Sequence, residues 1–104
     1  MIQSGDAEWY DLARVTVRFF ATVRDITGQK SIETEAETVR DLLAALSKMF
    51  GQRFTDAVVD SKTGGLKRFY SCMVNGRRIE LLQGVDTKLT DNDAIALFPP
   101  VGGG

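Results

Sequence analysis

The sequence predicts an α+β fold: a mixed sheet of four to five strands, crossed by one main helix and followed by a flexible glycine tail. Three observations predict it. The chain has 104 residues with 43% apolar and 26% charged, which fits one compact domain and rules out two. One stretch has a strong 3.6-residue apolar period. Strand-forming runs lie on both sides of that stretch, and a single helix can cover one face of such a sheet.

Taken in order, residues 1–13 mix small, acidic and aromatic types without period and are expected to form a loosely held extension, with Trp9 and Tyr10 as its docking residues. From Arg14 to Phe20 the run RVTVRFF alternates, with Val15, Val17 and Phe19 on one face and Thr16, Arg18 and Phe20 on the other, as in a half-buried strand. Ala21 to Gly28 reads as a long turn or a single helical turn, stopped by Gly28, before β-favourable residues 30–34. Val39, Leu42, Leu43, Leu46, Met49 and Phe50 then form the apolar stripe of the main helix. Thr38 suits its N-cap, Asp41 its positive end, and Gly51 a left-handed stop. That stripe reads as core packed on the sheet, not as a cofactor groove.

Phe54, Ala57 and Val58 suggest a further helical turn, and Ser61 to Gly65 a flexible one. The run LKRFYSCMV reads as a strand leading to Asn75-Gly76, a dipeptide suited to the positive φ of a tight hairpin. After a turn at Thr90 to Asp93, Ala94 to Phe98 forms the last strand, which Pro99-Pro100 stops. The domain is thus expected over residues 14–98 and the tail over 99–104.

Composition removes several function classes. Lysine and arginine total 13 against 14 acids, so no strong positive field exists to attract nucleic acid or an anionic membrane surface, and neither is expected as a partner. No window holds the ~20 apolar residues of a membrane span, and the start lacks the basic and apolar regions of a signal peptide, so a cytoplasmic location is expected. Histidine is absent, which excludes the commonest general base. The only cysteine, Cys72, forms no intramolecular disulfide and no zinc set; it reads as buried packing rather than as a persulfide relay. Asp91-Asn92-Asp93 lacks the glycine and distal glutamate of a calcium loop and reads as a turn, so no metal is expected.

The chemistry is expected in the last residues, Phe98-Pro99-Pro100-Val101-Gly102-Gly103-Gly104. The prolines stiffen the exit and remove amide donors, while glycines carry no side chain to keep the backbone out of a narrow channel. Six residues from Pro99 reach at most about 20 Å. A terminal carboxyl with a reference pKa of roughly 3.5 is ionised at neutral pH and can attack the α-phosphate of ATP without a local base. The missing histidine then ceases to matter: the protein is the reagent, and a partner supplies nucleotide binding and catalysis.

Two segments carry a resemblance to a known family. RVTVRFFATVRDITG, from Arg14, and VNGRRIELLQGVDTKLTDNDAIALFPPVGGG, from Val74, resemble the MoaD/ThiS sulfur carriers and the related small archaeal modifier proteins, which share the ubiquitin-like β-grasp fold. The likeness covers about residues 14–104; Gly102 falls at a variable position, Gly103-Gly104 match the terminal pair, and the departures are residues 1–13 and 52–66. It implies that an E1-like enzyme adenylates Gly104 with ATP and that sulfur transfer gives a C-terminal thiocarboxylate, with no cofactor bound to the chain itself. For the MoaD branch it implies insertion into the large subunit of molybdopterin synthase, to which the PPV sequence inclines. Other branches serve thiamin or tRNA thiolation, or join target lysines through an isopeptide bond. Phe98, Pro99, Pro100 and Val101 are the expected partner anchors, Phe98 reading equally as strand-end packing; Arg77-Arg78 could make polar contacts on that rim but reads rather as a solvated hairpin end.

Overall fold

A computed structural model describes residues 12–100. Strand β1 (Ala13–Phe19) leads into helix α1 (Ala21–Thr27) and strand β2 (Ser31–Ala36). Helices α2 (Val39–Phe50) and α3 (Gln52–Val58) follow, then strands β3 (Ser71–Val74), β4 (Arg77–Arg78) and β5 (Ala94–Phe98), with two short 3-10 turns at Ile79–Leu81 and Gly84–Asp86. The five strands form one mixed sheet in the order β2-β1-β5-β3-β4. Only β1 and β5 run parallel, with Val17 beside Ile95 and Phe19 beside Leu97. The last strand among the described residues therefore lies in the middle of the sheet.

Alternation in the strands sorts the two faces. Val15, Val17 and Phe19 of β1, Ile95 and Leu97 of β5, and Cys72 and Val74 of β3 are buried. They meet Val39, Leu42, Leu43 and Leu46 of α2 with Phe54 and Val58 of α3, forming one core. Thr16, Arg18, Ala94, Ala96, Ser71 and Met73 are not buried, and they make up the opposite, uncovered face.

Helix α2 spans its expected length, and the Thr38 hydroxyl accepts from the Asp41 amide at 3.2 Å, satisfying one orphan donor of the first turn. Gly51 departs from the expected left-handed stop. Its φ of 83° comes with ψ of −167°, an extended conformation open to glycine, and it turns the chain directly into α3. Met49 is 49% exposed and leaves the expected stripe, because α3 turns Phe54 into the core near that end of α2 and Phe50 packs between Phe19 and Phe54 instead.

Three other boundaries differ from the sequence expectation. Ala13 belongs to β1 and is buried, so the strand starts one residue inside the expected extension; Trp9 and Tyr10 lie outside the described residues. The connector after β1 is a seven-residue helix, held by burial of Val23 and by Gly28, left-handed at φ 72°, whose N–H donates to the Arg24 carbonyl. The strand expected from Leu66 onward is limited to Ser71–Val74, since Phe69 adopts φ 73° and breaks the extended run. The hairpin at Asn75-Gly76 forms as expected, with φ of 53° and 83°. Among the described residues no helix is long and apolar enough to cross a membrane.

Candidate functional site

The site is assembled where the central strand ends. Phe98, the last residue of β5, lies opposite Ser71 of β3, and the Leu97 carbonyl accepts from the Phe20 amide at 3.2 Å on the other side. Phe20 lies on the outward face as expected, but one residue past the end of β1 at the N-cap position of α1, and its ring stacks on Phe98 with centroids 4.5 Å apart and planes 12° from parallel. The Arg18 guanidinium carbon sits 5.7 Å from the Phe20 centroid, a cation–π approach at the rim of the stack.

Around this stack lies a cleft of about 420 Å³. Phe20, Met73 and Phe98 give it an apolar floor; Ala21, Ser71 and Arg78 line its sides. Pro99 and Pro100 continue it along the exit of the tail. Ala21 holds φ of 51°, a left-handed conformation that costs a non-glycine residue roughly 1 kcal/mol, and this bend carries the chain from Phe20 into α1 at the wall of the cleft. The lining offers apolar surface, one hydroxyl and one guanidinium. That set suits binding and orientation rather than proton transfer.

Of the expected anchors, the structure brings Phe98, Pro99 and Pro100 into one cleft with Arg78, while Arg77 is exposed and does not line it. Val101, Gly102, Gly103 and Gly104 lie outside the described residues. Sequence reasoning missed Phe20, Ala21, Ser71 and Met73. The parity of β1 marks Phe20 as outward, but its meeting with Phe98 depends on the parallel β1–β5 pairing and the approach of Met73 on the antiparallel β3–β5 pairing, which no local pattern encodes.

Cys72 points away from this cleft into the core and is 1% exposed. Burial, with a smaller contribution from the negative charge of Glu80, pushes its thiol up to about 12, so no thiolate forms at neutral pH and the packing reading holds. The aspartates of the turn at residues 90–93 are likewise engaged. Asp93 accepts from the Thr90 amide and hydroxyl and from Asn75 Nδ2, and Asp91 accepts from the Arg14 amide. Among the described residues no group of three or more Cys, Asp or Glu side chains gathers where a metal ion could be held.

Comparison with known proteins gives this geometry its family. The chain is 38% identical over 91 residues to small archaeal modifier protein 3 of Haloferax volcanii, covering 85% of this chain and 96% of that relative. It is 31% identical over 90 residues to a putative sulfur carrier protein of Archaeoglobus fulgidus, covering 86% and 98%. The solution structure of small archaeal modifier protein 1 from Methanosarcina acetivorans superposes with a TM-score of 0.77 at 29% identity, over 89% of this chain and 98% of that one. The five-stranded mixed sheet gripping α2 is accordingly a ubiquitin-like β-grasp. With the ThiS family model matching residues 17–104, from the middle of β1 to the final glycine, the chain belongs to the ThiS family of ubiquitin-like sulfur carriers and small modifiers.

Proposed function

We propose that this chain is a sulfur carrier whose terminal Gly104 is the reacting residue and whose cleft at the root of the tail docks the enzyme that activates it. The observation that carries the reading is the Phe20–Phe98 stack, an apolar cleft on the uncovered sheet face, continuous with Pro99 and Pro100. Glycines offer little side-chain area, so the grip on a partner has to come from the residues just before them. Phe98, Pro99, Pro100 and Val101 anchor the chain while Gly102 and Gly103 pass through a channel too narrow for side chains.

In the proposed sequence the Gly104 carboxylate attacks the α-phosphate of ATP on an E1-like enzyme, forming the acyl adenylate and releasing pyrophosphate. Sulfide then attacks the acyl carbon and expels AMP, leaving the thiocarboxylate; from an enzyme persulfide the same attack gives an acyl disulfide, which a second thiol of that enzyme cleaves, releasing the thiocarboxylate as the two enzyme sulfurs form a disulfide. ATP is the partner's substrate, and this chain holds no cofactor. The acceptor that best suits the PPV-Gly-Gly-Gly end is a pterin precursor in molybdopterin synthesis, reached by insertion of the tail into the synthase large subunit in the cytoplasm.

The test is intact mass after incubation with the cognate E1-like enzyme, MgATP and a sulfur source. A gain of about 16 Da on the native end, absent when one residue is appended after Gly104, is expected. No gain with an enzyme that adenylates other carriers overturns the reading. A second reading is favoured by the modifier relative at 38% identity: attachment of Gly104 to lysines of target proteins. It predicts covalent adducts that vanish on deletion of Gly104, and adducts that survive the deletion refute it.

A further inference from the structure

Charge is distributed unevenly along this chain. Between Ser61 and Arg78 there are five cations, Lys62, Lys67, Arg68, Arg77 and Arg78, and no acid, whereas the remaining sequence carries eight cations against all 14 acids. All five side chains are exposed. The fold gathers them on one edge of the sheet. Arg77 and Arg78 are the edge strand β4 itself, and Lys67 and Arg68 line a second cleft together with Ile79 and Glu80, immediately after β4. Lys62 joins Lys67 and Arg68 around the adjoining loop. Among the described residues only Arg78 of the five forms an ion pair, with Glu80 at 3.7 Å, and the nearby Asp60 carboxylate is occupied by the Lys62 and Thr63 amides of its own loop.

An exposed aromatic accompanies the charge. Phe69 is 72% exposed and held at φ 73°, a conformation uncommon for a bulky residue, with the Arg68 guanidinium carbon 5.1 Å from its ring centre. This edge is continuous with the tail cleft, because Arg78 pairs across the ladder with Met73 and both line that cleft.

We infer that the Lys62–Arg78 edge is an electrostatic docking rail for an acidic protein surface, and that its occupant is an acidic surface of the tail-activating enzyme beside the site that takes the tail. The inference rests on the carrier reading above. Because the rest of the chain carries eight cations against 14 acids, an acidic partner is attracted most strongly along this edge, so approach is steered toward one orientation. Contact along β4 sets the adjoining cleft, and with it Pro99 and Pro100, against the partner.

The experiment is steady-state pyrophosphate release by the cognate E1-like enzyme, with this protein as varied substrate, over a range of salt concentrations. The variants are Arg77→Glu/Arg78→Glu, Lys67→Glu/Arg68→Glu, and Lys48→Glu/Arg53→Glu as a control of equal charge change at exposed helix positions, each checked for folding by circular dichroism. Expected is a KM at least about tenfold higher for both edge variants, kcat within about twofold, a flattened salt dependence, and a control close to the native protein. Edge variants that match the control overturn the inference while leaving the carrier reading in place; a native protein that is not activated at all overturns both. Cations on an edge strand also prevent strand-to-strand aggregation, so variants that self-associate with unchanged KM assign that role instead and overturn the rail. Salt-sensitive binding of a fluorescein-labelled single-stranded RNA, lost in the edge variants while KM holds, likewise overturns it in favour of nucleic acid.

Discussion

Phe98→Ala separates two roles that one ring can play at the root of the tail. Phe98 is half-buried and stacks on Phe20 at 4.5 Å, so truncation removes part of the roughly 1.5–3 kcal/mol of a fully buried large side chain, together with about 0.5–1.5 kcal/mol of aromatic pairing. A stability loss of about 2 kcal/mol follows, read from urea unfolding. If the ring is also the partner's anchor, its loss from a desolvated contact costs at least about 2 kcal/mol of affinity, a roughly 30-fold rise in KM for tail adenylation. Both quantities are measured on the same variant, with KM taken at a temperature where circular dichroism shows it folded. A KM within about twofold of the native value, beside the full stability loss, would refute the anchor and leave Phe98 as strand-end packing alone.

Other substitutions probe the frame that holds the site. Asp93→Ala frees the Thr90 amide and hydroxyl and Asn75 Nδ2, and because these donors lie near water the expected loss is about 2 kcal/mol, seen as a drop of roughly 10 °C in Tm, with adenylation unchanged where the variant is folded. Ala21→Gly relieves the left-handed strain at φ 51° and should raise stability by about 0.5–1 kcal/mol in urea unfolding; a loss would mean that the Ala21 methyl packs more than it strains. Cys72 gives a pH signature. Its folded thiol, raised from 9.0 to about 12, favours the protonated form, so its contribution is complete below pH 9 and is lost as pH rises from about 9 to 12. Cys72→Val should flatten that alkaline loss, and the native thiol should resist Ellman's reagent at pH 8 until denaturant is added. Arg14→Ala breaks exposed pairs with Glu33 and Glu35 and should cost less than about 0.5 kcal/mol.

The sequence read most clearly where a residue's role is set by its neighbours along the chain. The α2 stripe from Val39 to Leu46, the Thr38 cap, the Asn75-Gly76 reversal and the run from Ala94 to Phe98 all follow local rules of period, capping and turn chemistry, and each appears where those rules place it. What stayed hidden depends on distant partners. Met49 has the right period for the core, yet α3 and the Phe50 ring fill its place. The α1 segment is too short to be helical alone and forms because Val23 finds the core. The cleft was half legible: Phe98, Pro99 and Pro100 announce themselves as the end of a strand, but Phe20 and Met73 join them only through pairing of the first, third and last strands.

That pairing also explains why a carrier would use its central strand to present a tail. β5 is hydrogen-bonded on both sides, by β1 and β3, and Ile95 and Leu97 are fully buried against the helices, so the point from which the tail leaves is fixed as firmly as any in the fold. On the proposed carrier reading, ordering three glycines in a partner's channel would cost about 1–2 kcal/mol of backbone entropy for each residue, some 3–6 kcal/mol in all, and their hydrogens would return little by contact. The compensating free energy has to come from surface that is already ordered before the partner arrives. Phe20, Phe98 and Met73, with the prolines beyond them, supply such a surface within a few residues of the glycines. Loosening the root, by any change that frees Phe98 from Phe20, would therefore weaken activation even with every glycine in place.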